Sequence, residues 1–222
     1  MNVDKQNPPL VSVILPVYNR KYILERALNS LINQTFKNYE LIIVDGGSTD
    51  KIEEVIFPYL KKYINFKYIR HPNLNLPLSR NTGILISRGA YITFIDSDDE
   101  YKVDHLKKIV DFMKSNSDID FIHSFPEIIG DEKDMWLPDS DDPTRLIHAN
   151  DCVYPGTFFA KKEVFIQMRG FKDVPFEDSD FYKRLVSFGE FKIHKSSERT
   201  YVYYRNIEDS LCNNLKRLHH NG

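Results

Sequence analysis

Asp96 and Asp98 stand two residues apart at the end of an apolar run, Tyr91 to Ile95, and the acids continue through Asp99 and Glu100. Carboxylates at i and i+2 of an extended turn project to one side, where they can share a hard divalent cation, Mg2+ or Mn2+, and leave coordination positions for phosphate oxygens. A solvated turn satisfies the same spacing, which recurs at Asp118/Asp120, Asp139/Asp141 and Asp178/Asp180. Spacing alone leaves both readings open. A calcium EF-hand is excluded, because Tyr101 falls on the position that requires Gly and Lys107 on the one that requires Glu.

Context separates the four pairs. Only Asp96/Asp98 follows directly from a strongly apolar strand, "AYITFI", and Asp45 ends another, "YELIIVD", before Gly46 and Gly47 permit a tight turn. Asp178 and Asp180, in "FEDSDFYKRL", read as acids that favour a helix N-terminus.

The elements that must position these groups alternate. "LVSVILPV" is a buried strand, and Ile23, Leu24, Ala27, Leu28, Leu31 and Ile32 give the next segment, Tyr22 to Asn33, an amphipathic helical period. Leu41 to Val44 form a second strand. A helix over Lys51 to Tyr63 should break or kink at Pro58, and "FKYIR" is a further short strand. "LSRNTGILIS" predicts a helix, Val103 to Met113 another, and "IDFIH" a strand. Glu127 to Asp151 has no steady period and reads as a long irregular segment. Beyond it come "TFFA", a helix from Lys161 to Met168, a helix from Asp180 to Phe188, and the strands "FKIH" and "TYVYY". Strands alternating with helices imply α/β architecture: a mainly parallel sheet covered on both faces, with ligands bound outside the carboxyl ends of its strands.

Composition sets bounds. The chain has 222 residues, 41% hydrophobic and 28% charged, which suits an ordinary folded protein and one sizeable core. A net charge of −2 lacks the basic footprint of a nucleic-acid binder, so no nucleic-acid partner is expected. No run of 18 apolar residues and no leader-like N-terminus is present, so a cytoplasmic protein is expected, with at most peripheral contact at the inner face of a membrane. Cys152 and Cys212 form no C-x-x-C pair, and no H-E-x-x-H pair supports zinc chemistry.

Six segments in order, "VSVILPVYNR", "LINQTFKNYELIIVDGGSTD", "LSRNTGI", "GAYITFIDSDD", "RGFKDVPFEDSDFYKRL" and "YYRNIEDSL", resemble glycosyltransferase family 2, inverting enzymes of GT-A fold. The likeness runs from about Val11 to about Leu211 and implies a single GT-A domain, with a nucleotide-binding part over about 10–100, an acceptor-side part over about 101–211 and a tail over 212–222. It implies a nucleoside-diphosphate sugar donor, foremost a UDP-sugar, an Mn2+ or Mg2+ cofactor, and a glycan or lipid-linked acceptor in surface polysaccharide or glycoconjugate synthesis.

By the same resemblance, Pro16, Val17, Tyr18 and Asn19 line the nucleoside pocket, and Asp45 holds the nucleoside, although Gly46 stands where a second polar residue is usual. Arg80 faces the diphosphate, for which a guanidinium fork is suited. Asp98 is the direct metal ligand, Asp96 contacts ribose or metal-bound water, and Ser97 lies against the nucleotide. Asp178 is the general base, helped into place by Glu177. Asn81 and Gly83 are structural, and Asn75 occupies a position that invites left-handed backbone. Ile207 replaces a usual histidine, a loss for which Arg205 and Ser210 are the candidates to compensate. Trp136, Gly156 and Thr157 are expected on the acceptor side. Two rival readings are a silent sugar-nucleotide-binding module and a nucleotidyltransferase, the latter disfavoured because "PVYNRKY" is not a glycine-rich basic loop.

Overall fold

A computed structural model describes residues 8–72 and 75–207. In chain order its elements are β1 (Val11–Val17), α1 (Leu24–Ile32), β2 (Tyr39–Asp45), α2 (Glu53–Lys62), β3 (Phe66–Arg70), α3 (Leu76–Ile86), β4 (Tyr91–Phe94), β5 (Glu100–Tyr101), α4 (His105–Ser115), β6 (Phe121–Ser124) and β7 (Glu127–Ile129). They continue with β8 (Trp136–Pro138), β9 (Leu146–His148), β10 (Phe159–Lys161), α5 (Lys162–Gln167), α6 (Glu177–Phe188), β11 (Ile193–Ser196) and β12 (Tyr201–Tyr204). Ser210 and the 212–222 tail lie outside the described residues.

Seven strands form the central sheet in the order β11-β6-β10-β4-β1-β2-β3. The run β4-β1-β2-β3 is parallel, β6 is parallel to β11, and β10 is antiparallel to both its neighbours. The expected mixed, mainly parallel GT-A sheet is therefore present. β1 shows why its sequence is apolar without alternation. Val13 and Leu15 face a core filled by α1, α2 and α4, whereas Ile14 faces a second core filled by α3, α5 and α6. A strand buried on both faces has no polar side to display.

Packing decides three details that local sequence leaves open. Pro58 lies inside α2 without ending it: Ile52 and Ile56 are fully buried and anchor the helix, so the loss of one backbone hydrogen bond is tolerated. Gly83 brings α3 onto β1 so closely that a Cβ there would stand 2.4 Å from Ile14 Cγ2. Asn75 is not left-handed; its backbone is extended (φ −79°) and its side chain caps α3 by accepting from Leu78 N at 3.1 Å.

The stretch expected to be irregular contains β7, β8 and β9. β8 and β9 pair as an antiparallel hairpin, Trp136 opposite His148. β7 joins β12 and β5 in a small three-stranded sheet, order β5-β12-β7, which abuts the Asp96–Asp99 turn. No helix among the described residues is long and apolar enough to cross a membrane.

Candidate active site

The loops that follow β1, β2 and β4 open onto a cavity of about 830 Å³, whose opposite wall comes from the β8–β9 hairpin, residues 151–155 and the start of α6. Pro16, Val17, Tyr18, Arg80, Asp96, Ser97, Asp98, Glu177 and Asp178 all line it, so residues separated by up to 162 positions meet in one cleft.

Asp96 to Asp99 form a tight turn closed by Asp99 N donating to Asp96 O at 3.2 Å. Asp96 and Asp98 face the cavity, and Arg26 Nη1 steadies the turn by donating to Asp98 O at 3.1 Å. Asp99 also reaches the cavity wall, but it is buried and both its oxygens are engaged by β12. Its Oδ1 accepts from Tyr204 N at 2.9 Å and its Oδ2 from the Tyr201 hydroxyl. Burial, and then the neighbouring Asp98 and Asp96, hold the Asp99 carboxyl well above the usual carboxylate range.

Across the cleft, α6 begins at Glu177 after Phe176, a bulky residue held in left-handed backbone (φ 54°). Such backbone is costly for a non-glycine residue and persists where surrounding structure enforces it. Here it turns the chain sharply so that Glu177 and Asp178 enter the cavity together. Asp178 Oδ1 accepts from Ser179 N at 2.7 Å. Burial, followed by the charge of Glu177, pushes the Asp178 carboxyl up to about 7, against the opposing pull of the Ser179 N–H and Arg80. A carboxyl that loses its proton near neutrality suits general-base work.

Arg80 bridges the two sides. Its guanidinium, 2% exposed, donates to Asp96 Oδ1 at 3.0 Å and to Glu177 Oε1. Burial works against its charge, but Asp96, Glu177 and Asp178 more than offset this and raise its proton affinity. Arg80 lines the cavity as expected, yet its fork is engaged by two carboxylates, so its principal contacts are not those of a phosphate clamp.

Several expected residues are not on the cavity wall. Asp45 is fully buried and its carboxylate is engaged by its own loop and by β3, with Oδ1 accepting from Gly47 N (3.0 Å), Ser48 N (2.8 Å) and Ser48 Oγ (2.6 Å), and Oδ2 from Tyr68 Oη (2.7 Å). Gly46 reaches the wall in its place. Asn19, at φ 50°, ties two loops together instead, its N donating to Ser48 Oγ at 2.9 Å and its Oδ1 accepting from Thr49 N at 2.8 Å. Trp136 is exposed on the outside of the hairpin, edge-on to His148, while Leu137 beside it faces in. Gly156 and Thr157 are buried behind the wall that Tyr154 and Pro155 form. Asp180 is no simple cap, since it pairs with Arg184 at 2.7 Å. Arg205 is fully buried, donating to Asp134 O at 3.2 Å, away from the cleft.

Other wall residues gave no signal in sequence. Tyr182, Tyr201, Tyr203 and Lys183 come from elements read as plain helix and strand. Lys183 Nζ donates to Ser140 Oγ at 3.1 Å and pairs with Asp141, which latches the hairpin to α6.

The donor set can be tested against the divalent cation that the sequence implies. Among the described residues no group of three or more His, Cys, Asp or Glu forms a cage. Asp96 and Asp98 supply two carboxylates on one wall, and Mg2+ held beside a nucleotide is usually bound by one or two carboxylates with phosphates completing the shell. The residues therefore fit a cation that arrives with a diphosphate, not a cage built by protein alone. Burial raises the proton affinity of Asp99 most, and the charges of Asp98 and Asp96 add to it; only that second part is negative charge that a cation there would relieve.

Comparison with known proteins agrees with this geometry. The model of the family described as "Glycosyl transferase family 2" matches residues 12–179. An uncharacterized glycosyltransferase of Haemophilus influenzae is 42% identical over 111 residues, half of this chain and 44% of the relative. A putative teichuronic acid biosynthesis glycosyltransferase, TuaG of Bacillus subtilis, is 37% identical over 111 residues, 49% of this chain and 44% of the relative. Among solved structures, S. aureus TarS 1-349 in complex with UDP-GlcNAc superposes with a TM-score of 0.73 at 22% identity, covering 92% of this chain and 60% of that one. The likeness to TarS is one of fold. The match with the first of these relatives spans less than half of that protein's length. The chain belongs to glycosyl transferase family 2, and its mixed, mainly parallel sheet has the GT-A fold.

Proposed function

We propose that the protein is a metal-dependent, inverting glycosyltransferase that moves a sugar from a nucleoside diphosphate to a hydroxyl of a glycan or lipid-linked acceptor. The observation that carries this reading is the placement of Asp178 in one cavity with the Asp96/Asp98 pair, with Arg80 spanning the space between them. Residues before about 100 form the donor half, and those from about 101 onward form the acceptor half.

Pro16, Val17 and Tyr18 form the wall against which the nucleoside rests. Asp96 and Asp98 would hold Mn2+ or Mg2+ against the diphosphate, and the ion's chemistry when bound is to offset charge on the departing group. Asp178, deprotonated, accepts the proton of the acceptor hydroxyl as that oxygen attacks the anomeric carbon from the face opposite the leaving group, so configuration inverts. Arg80 keeps the carboxylates of Asp96 and Glu177 apart at a fixed distance while remaining charged itself. The apolar hairpin residues Leu137 and Pro138, with Tyr154, exclude water from the acceptor side.

TarS was solved with UDP-GlcNAc, which supports a UDP-sugar as the first donor to test. The relative named for teichuronic acid biosynthesis supports a role in surface polysaccharide synthesis. The test is a thermal-shift screen of UDP, GDP and their sugars with and without Mn2+. A true donor raises apparent stability by about 2.7 kcal/mol at a hundredfold excess over its dissociation constant. Stabilisation by a nucleotide sugar, followed by transfer that Asp178→Asn abolishes, supports the assignment. Donor binding with no transfer to any hydroxyl acceptor would instead identify a silent binding module.

A further inference from the structure

Beside the Arg26 bond to Asp98 O and the Tyr204 N–H bond to Asp99, one side-chain hydroxyl braces the Asp96–Asp99 turn at both ends. Tyr201 Oη donates to Asp99 Oδ2 at 2.5 Å and accepts from Asp96 N at 3.4 Å, so it touches both ends of the turn that carries Asp98. Both Asp99 and Tyr201 are 1% exposed. The tyrosine ring has little freedom. It stands edge-on to Tyr101, its pairing partner across β5 and β12, with ring centroids 5.8 Å apart. It also lies so close to Gly156 that a Cβ there would be 2.1 Å from Tyr201 Cζ. Gly156 belongs to the segment behind the acceptor wall, so one ring joins the acceptor side to the acidic turn.

We infer that Tyr201 is a positioning residue for Asp98: with Asp99 as its anchor, its hydroxyl fixes the turn that presents the acidic pair, and Asp99 is a structural partner in that tie, not a third ligand. The inference rests on the proposed metal-dependent transfer for its functional consequence, but the tie itself is a statement about the ligand-free fold. Its physical basis is that a ligand must be held to within about half an ångström by groups that are themselves locked. Without the hydroxyl, Asp96 N–H and one Asp99 oxygen lose a buried partner together, and the turn relaxes to find replacements.

Two measurements on Tyr201→Phe, Asp99→Asn, Asp99→Ala and Asp98→Asn test this. In the ligand-free protein, amide hydrogen exchange over residues 95–101 should quicken in Tyr201→Phe while exchange in β1 and β2 stays at the wild-type rate. Acceleration spread equally over β1 and β2, or none at all, overturns the tie. With MnCl2 and UDP as probes, Tyr201→Phe should need about tenfold more Mn2+ for half-maximal stabilisation and for half-maximal turnover, as loss of a supporting partner typically does. UDP affinity without metal should change by less than about twofold, because the nucleoside wall is untouched. Asp99→Asn keeps the shape, with its oxygen still accepting from Tyr204 N and its NH2 donating to Tyr201 Oη in a reversed bond, and should retain most of the Mn2+ response, whereas Asp99→Ala and Asp98→Asn lose it. Loss in Asp99→Asn as complete as in Asp98→Asn would make Asp99 a ligand and overturn the inference. Should wild type itself not respond to Mn2+ with UDP, the functional reading fails, and the exchange data still decide the tie.

Discussion

Arg80 Nη2 lies 3.0 Å from Asp96 Oδ1, and the same guanidinium reaches Glu177, so one buried cation joins the acidic turn after β4 to the first turn of α6. The three groups come from separate elements, and the charge balance holds only while all three are present. Removing the arginine leaves two carboxylates in a cleft that already contains Asp98 and Asp178.

Arg80→Met is therefore expected to cost roughly 3–5 kcal/mol, the range for breaking a buried ion pair from one side. Urea unfolding checks this. Transfer should fall as well, because the spacing of the acidic turn and Asp178 depends on the bridge, and an unchanged midpoint with full turnover would contradict it.

Activity should follow the ionisation of Asp178. With its carboxyl pushed up to about 7, the fraction able to accept a proton, and hence kcat/KM, rises through neutrality and levels off above it. The linked stability effect has the opposite sign. The folded state holds this proton more tightly than the unfolded chain, so its contribution is complete below about pH 4 and is lost as pH rises towards about 7. Asp178→Asn should remove transfer and, by melting temperature, be more stabilising at pH 8 than at pH 5.

The contrast between what sequence showed and what folding supplied is physical. β1, β2 and β4 were legible because burial on both faces writes a largely apolar run, interrupted by the buried Ser12, Glu40 and Thr93, and their carboxyl ends located the cleft. The motif singled out Asp178, which the fold brings into the cavity, but its raised proton affinity depends on Phe176 turning α6 inward, which no propensity announces. The Tyr201–Asp99 contact spans 102 residues and resembles ordinary strand packing until the fold is closed. The β8–β9 hairpin escaped notice because three-residue strands are too short to display a period. Asp45 shows a part that local sequence did not announce, its hydrogen bonding. Its position after a strand fitted a ligand contact, while the Gly46-Gly47 turn offered it enough donors to consume its carboxylate locally.

Asp45→Ala should thus act on stability before it acts on donor affinity. Two buried donors, Ser48 N and Ser48 Oγ, lose their acceptor at once, together with the half-buried Tyr68 hydroxyl, and each buried loss costs about 1–3 kcal/mol, so a deficit of about 3 kcal/mol is expected. Denaturant unfolding measures the deficit. A variant of wild-type stability whose UDP affinity alone had collapsed would return Asp45 to the binding site.

The latch between Lys183 and the hairpin loop predicts a separation of a different kind. Lys183 and Asp141 are 51% and 76% exposed, so their pair resembles other surface ion pairs, worth about 1 kcal/mol or less. Lys183→Ala should leave the melting temperature nearly unchanged. The hairpin nonetheless forms one side of the cavity, and under the proposed function it must without the latch be ordered by the acceptor itself, a cost that appears in acceptor binding. The expected result is a rise of about threefold to tenfold in acceptor KM, with donor KM and kcat near wild type, because uniform binding is lost and chemistry is not. Steady-state kinetics with donor and acceptor varied in turn distinguish this from general damage, which would lower kcat and move both KM values together.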